Sequence, residues 1–105
     1  MNIIKADELY QWKEEGKDFQ LIDVRESNEW DNGYIEGAIH IPMRSVAKNL
    51  SQLSTEKPVV LYCQGGIRSM QTIIYLQTFK KVKGLYNLQG GINAWTNLMR
   101  SKMSR

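Results

Sequence analysis

Short apolar runs alternate along this chain with segments whose apolar positions recur every three or four residues. Asn2-Ile3-Ile4, Phe19-Gln20-Leu21-Ile22-Asp23-Val24, Ala38-Ile39-His40-Ile41, Val59-Val60-Leu61-Tyr62 and Leu85-Tyr86-Asn87-Leu88 read as strands. The fourth run follows Pro58 without a polar break, as a strand covered on both faces would. Pro42 stops the third. Between the runs, Ala6 to Glu15 predicts a helix with Leu9 and Trp12 inward, Asp7 and Glu8 in its positive first turn and Gly16 as its stop. Ser27 suits the N-cap of a short helix through Glu29 and Trp30, ended by Gly33. A further helix is expected around Ser45 to Leu53. Ser69 to Phe79 has the clearest helical period, with Met70, Ile73 and Ile74 inward and Leu76 and Phe79 widening the stripe. Gly91 to Met99 predicts the last helix, and residues 100–105 a flexible tail.

Strands separated by helices imply an α/β fold, a central parallel sheet of about five strands with helices on both faces. No repeat and no linker interrupts the pattern, so residues 1–105 are expected to form one domain with its core at about 4–97. The composition, 42% hydrophobic and 24% charged, is that of a folded globular chain rather than a disordered or fibrous one. A net charge of +3 does not require a nucleic-acid partner, and none is expected. No apolar stretch approaches the roughly 18–20 residues that cross a bilayer, so no membrane partner is expected. The N-terminus turns acidic at Asp7 and Glu8, where a signal peptide would be apolar, which points to the cytoplasm. There a lone thiol stays reduced. One Cys and one His exclude an internal disulfide, a four-Cys zinc site and a His-rich metal site. No metal and no organic cofactor is expected.

That single thiol stands in an informative place. Tyr62-Cys63-Gln64-Gly65-Gly66-Ile67-Arg68-Ser69 joins the most apolar strand to the clearest helix. In parallel sheets, ligands bind beyond the carboxyl ends of the strands. Gly65 and Gly66 let the backbone curl and turn several N–H groups toward one centre. Those donors, the start of the helix and the Arg68 guanidinium make an anion cradle that favours thiolate over thiol. A free thiol with pKa about 8.5 is only roughly 3% ionised at pH 7, so such a cradle decides reactivity. The same donors suit an oxyanion substrate. The bland alternative is a buried Cys that merely fills a strand-to-helix turn.

The loop resembles the active-site loop of the rhodanese homology family, single-domain thiosulfate sulfurtransferases in particular. Leu21-Ile22-Asp23-Val24-Arg25-Glu26 is similar to the family's Asp-x-Arg signature. Gly33-Tyr34-Ile35-Glu36-Gly37-Ala38-Ile39-His40-Ile41-Pro42 resembles its His-Ile-x-Gly-Ala-x-Asn-Ile-Pro segment. Leu88-Gln89-Gly90-Gly91-Ile92-Asn93-Ala94-Trp95 is similar to its Gly-Gly-x-x-x-Trp motif. The likeness runs from about Ile4 to Trp95, with Tyr34 where the family usually has His and His40 where it commonly has Asn.

The resemblance implies a sulfurtransferase working by double displacement. Cys63 would take a sulfane sulfur from a small anionic donor such as thiosulfate, or from a persulfide, and become a persulfide. An external acceptor (cyanide, a thiol or a sulfur-carrier protein) would then remove it, since the chain has no second Cys. Backbone N–H groups of Gln64, Gly65, Gly66, Ile67, Arg68 and Ser69 would hold the persulfide charge. Arg68 would also steady the donor and the turn, and Asp23 and Arg25 would shape the pocket, with Arg25 adding positive potential or simply pairing with Asp23. Cys63 through Arg68 spans six residues. The related phosphatases and arsenate reductases carry one residue more, and this loop lacks a carboxyl group to protonate an alcohol. Three functions stay open: an enzyme with turnover, a persulfide-carrying or regulatory module, and, against the loop length, a phosphatase or arsenate reductase. His40 is a candidate base or a strand-end hydrogen-bonding group. Trp30 and Trp95 read as core and rim packing, and Gly90 and Gly91 as a tight turn. Lys80, Lys81 and Lys83 read as a solvated face.

Overall fold

A computed structural model describes residues 1–104. Five strands, β1 (Asn2–Ile4), β2 (Gln20–Asp23), β3 (Ile39–His40), β4 (Val59–Tyr62) and β5 (Leu85–Leu88), form one parallel sheet in the order β1-β5-β4-β2-β3. The α/β architecture expected from the alternating pattern is the one observed. β4 is central because its four side chains are all buried and point alternately to two cores. Val59 and Leu61 join Ile22, Val24, Ile73 and Leu76 on one face. Val60 and Tyr62 join Leu9, Leu21, Ile35 and Leu88 on the other. The first face is covered by helix α3 (Ile67–Phe79) and two 3-10 helices, and the second by α1 (Ala6–Glu14) and α4 (Gly91–Met103).

The chain runs outward from β2 to β3 on one side and from β4 to β5 on the other, so the order reverses between β2 and β4. The loops leaving those two neighbours diverge and open a crevice at their carboxyl ends. Cys63 follows β4 and Arg25 follows β2, at the two lips of that crevice. The short helix α2 (Ser27–Asp31) comes immediately after Arg25.

Five local expectations are corrected. The segment expected as a helix from Ser45 to Leu53 is two 3-10 helices, Met43–Lys48 and Leu50–Gln52. Asn49 divides them: its side-chain amide donates to the Ser45 carbonyl at 2.7 Å, taking an acceptor that an α-helix would have used. The N-cap of α2 is Glu26, with Ser27 already inside the helix. There the Glu26 N–H donates to Glu29 Oε1 at 3.1 Å. The third strand shrinks to Ile39–His40 because the Ala38 N–H turns back to the Ile35 carbonyl. In α3 the inward stripe is Ser69, Thr72, Ile73 and Leu76, whereas Ile74 and Phe79 are exposed. Residues 100–103 continue α4 rather than fraying, and Lys102 lies over the Tyr10 ring 4.0 Å from its centre. Arg105 lies outside the described residues. Among the described residues no helix is long and apolar enough to cross a membrane.

Candidate active site

Cys63 ends the central strand, and the chain then curls so that donors from the following residues meet its sulfur. The Gly66 N–H lies 3.1 Å from Sγ, and the Ser69 N–H and hydroxyl each lie 3.4 Å away. Gly66 is the N-cap of α3 at φ +105°, a conformation that needs glycine, and this left-handed step turns its N–H inward. Burial pushes the Cys63 thiol up. The Ser69 hydroxyl, with the N–H groups of Ser69, Gly66 and Gly65, outweighs it, and the net result lies below the ordinary thiol value.

A buried network holds the cradle itself. Asn87 Oδ1 of β5 lies 2.6 Å from the Ser69 hydroxyl, whose one proton it shares with Cys63 Sγ, and the Asn87 amide donates to the Gly66 carbonyl at 3.1 Å. The first turn of α4 grips the other side. The Ile92 N–H donates to the Cys63 carbonyl at 2.9 Å and the Asn93 N–H to the Gln64 carbonyl at 3.1 Å. Gly91 makes that approach possible, since a Cβ there would sit 2.4 Å from the Cys63 carbonyl oxygen.

Arg68 steadies the turn chiefly through a carboxylate, with attraction to the Cys63 sulfur a smaller contribution. Both ends of the guanidinium bind Glu29 of α2, Nη1 to Oε1 at 2.7 Å and Nη2 to Oε2 at 2.8 Å. Its charge is thereby neutralised locally, and its first effect is to tie the start of α3 to α2. The donors that converge on Sγ come from Gly65, Gly66 and Ser69. The Ile67 residue is 61% exposed.

Arg68 holds the Glu29 carboxyl down to about 2. That stabilisation is complete above the ordinary carboxyl range, near 4.3, and is lost as pH falls toward about 2. Glu29→Gln is expected to cost about 1 kcal/mol in urea unfolding at pH 7, with the gap to wild type closing progressively below about pH 5. A gap of equal size at pH 7 and pH 3 would contradict an ionic origin.

Asp23 and Arg25 form a buried pair rather than a source of free positive potential. Arg25 Nε lies 3.1 Å from both Asp23 oxygens and Nη2 lies 2.8 Å from Oδ2. Burial opposes the Arg25 charge, and the Asp23 carboxylate more than restores it. Nη2 also donates to the Gly33 carbonyl at 2.7 Å, and Nη1 to Gln64 Oε1 at 3.1 Å. His40 donates from Nε2 to the Arg25 carbonyl at 2.7 Å, the strand-end bond that was one of its two readings. Its ring stacks on Trp30, which stacks in turn on Tyr34 at 3.8 Å between centroids. Trp95 packs against Tyr10 and the second core, as rim packing predicts.

Beside the loop lies an open cavity of about 530 Å3, walled by Arg25, Glu29, Tyr34, Gln64, Trp95 and Met99 among others. Glu29, Asn87 and Asn93 went unnoticed in the sequence because each acts through a partner far along the chain. The only local signal was the Gly90-Gly91 pair, which marks where α4 meets the loop. No cluster of His, Cys, Asp or Glu able to hold a metal occurs among the described residues.

Comparison with known proteins agrees with this geometry. A family model described as "Rhodanese-like domain" matches residues 5–98. The protein YqhL of Bacillus subtilis is 41% identical over 79% of this chain and 65% of its own length. Thiosulfate sulfurtransferase GlpE of Shewanella oneidensis is 36% identical over 77% of this chain and 79% of its own. The chain spans 25% to 65% of the length of the curated relatives it matches at highest identity. The crystal structure of a rhodanese-like domain protein from Staphylococcus aureus superposes with a TM-score of 0.83, at 35% identity, over 90% of this chain and 91% of that one. Since the family model covers nearly the whole sheet and both lips of the crevice, the chain belongs to the rhodanese-like domain family.

Proposed function

We propose that the protein is a sulfurtransferase that carries a sulfane sulfur on Cys63. The observation that carries this reading is the convergence of the Gly66 and Ser69 donors on the chain's one thiol, with a cavity beside it. The Cys63 thiolate attacks the outer sulfur of thiosulfate or the terminal sulfur of a persulfide. The S–S bond of the donor breaks, its electron pair leaves with sulfite or a thiolate, and Cys63 becomes a persulfide anion. An acceptor nucleophile then attacks the terminal sulfur. Cyanide leaves as thiocyanate, or a thiolate leaves as a new persulfide, and the Cys63 thiolate is regenerated.

The cradle donors stabilise the charge in both resting forms, so no general base is required. Asp23 and Arg25 shape the crevice as a neutral pair, Arg68 fixes the loop, and backbone donors from Gln64 to Ser69 are the proposed hold on the persulfide. No metal or organic cofactor enters any step. The proposed partners are a small anionic donor and an external thiol or sulfur-carrier protein, in the cytoplasm. The six-residue loop without a carboxyl group argues against phosphate-ester hydrolysis.

A second reading, a persulfide-carrying or regulatory module with little turnover, uses the same thiol and cradle. Intact-protein mass after thiosulfate treatment tests both. A gain of one sulfur together with steady thiocyanate production supports the enzyme, and a gain without turnover supports the carrier. Absence of any gain from thiosulfate and from an organic persulfide alike removes both.

A further inference from the structure

Cys63 is 1% exposed and does not line the neighbouring cavity, yet the next residue does. The Gln64 side chain is held at both ends. Its Oε1 accepts from Arg25 Nη1 at 3.1 Å, on the β2 lip of the crevice. Its Nε2 donates to Asn93 Oδ1 at 2.6 Å, on α4. A single side chain thus bridges the two elements that flank the loop, on the wall of the cavity and one residue from Cys63.

The donor inventory of Arg25 sharpens the point. A guanidinium has five N–H groups. Asp23 and Gly33 engage Nε and Nη2, so the interactions still open to exchange are those at Nη1, and Gln64 occupies that end. The cavity is also lined by Tyr34, Trp95 and Met99, whose apolar surface a small inorganic anion does not need.

We infer that Gln64 is a latch between this cavity and Cys63, released when an anionic sulfur compound with an organic arm takes the Arg25 Nη1 N–H that Gln64 now holds. The carboxylate of an organic thiol or persulfide matches that end of the guanidinium, and Tyr34 and Trp95 cover its carbon chain. Gln64 is therefore a positioning residue, and the exchange replaces a bond from the Arg25 cation to a neutral amide by one from the same cation to a carboxylate. This rests on Cys63 being the reacting atom, which the proposed function also requires. Its test needs no sulfur transfer.

The test is the rate at which iodoacetamide alkylates Cys63 across pH, followed by intact mass, in wild type, Gln64→Ala and Asn93→Ala. Asn93→Ala removes only the far anchor and leaves the backbone bond to the Gln64 carbonyl in place. Both variants are expected to raise the plateau rate roughly three- to tenfold, as loss of one or two modest hydrogen bonds would, with the pH midpoint unmoved. An unchanged or slower plateau in both folded variants overturns the latch, as does a gain that arises only from a shifted midpoint. Failure of sulfur transfer with the accelerated alkylation intact would instead count against the proposed function alone.

Discussion

Cys63→Ser is expected to abolish sulfur transfer while leaving the fold in place. The substitution exchanges sulfur for oxygen in a buried site whose partners are N–H and O–H donors, so packing and hydrogen bonding change little. Chemistry changes completely. A serine hydroxyl is neutral at pH 7 and becomes a nucleophile only beside a base. The one His of the chain is committed to the Arg25 carbonyl, and the loop contains no carboxylate. Thiocyanate production from thiosulfate and cyanide should fall by at least about a thousandfold, with no gain of sulfur mass and a nearly unchanged melting temperature. Activity that survives in a folded Cys63→Ser protein would show that another group is the nucleophile.

Gly91→Ala is expected to be the most damaging single substitution outside the thiol itself. Gly91 sits at φ +58°, a conformation that costs an L-residue roughly 1–2 kcal/mol. The added Cβ would also lie 2.4 Å from the Cys63 carbonyl oxygen and 2.5 Å from that of Gln64. Both neighbours are backbone, which cannot rotate away. The first turn of α4 would have to withdraw, breaking the Ile92 and Asn93 N–H bonds to those carbonyls. Overpacking of this kind adds roughly 1–3 kcal/mol, so a total loss of about 2–5 kcal/mol is expected in urea unfolding. Full stability in Gly91→Ala would mean that α4 does not clamp the loop.

The sheet was legible because its information is local. Val59-Val60-Leu61-Tyr62 is apolar throughout, and each of its residues is buried on one face or the other. The position of Cys63 between such a strand and a periodic helix was enough to locate the site. The register of hydrogen bonds around the sulfur was not legible, because it depends on contacts between distant segments. Asn87 meets Ser69 across 18 positions, and Glu29 meets Arg68 across 39. The Glu29 partner of Arg68 was hidden for the same reason: nothing near Arg68 in sequence shows the carboxylate from another helix that pairs with it. Around Ser45 the apolar spacing suggested a continuous helix, and one side-chain hydrogen bond from Asn49 was sufficient to divide it. Ile74 and Phe79 were assigned inward by spacing alone, whereas the sheet selects the face centred on Thr72, Ile73 and Leu76.

Whether the loop truly ionises its cysteine is read most directly from the ultraviolet absorbance of the thiolate as pH is raised, with Cys63→Ser as the blank. The predicted titration has its midpoint below the ordinary thiol value of about 8.5, and Ser69→Ala, which removes the hydroxyl donor, moves it upward. A wild-type midpoint at or above about 8.5, unaltered by Ser69→Ala, would contradict it.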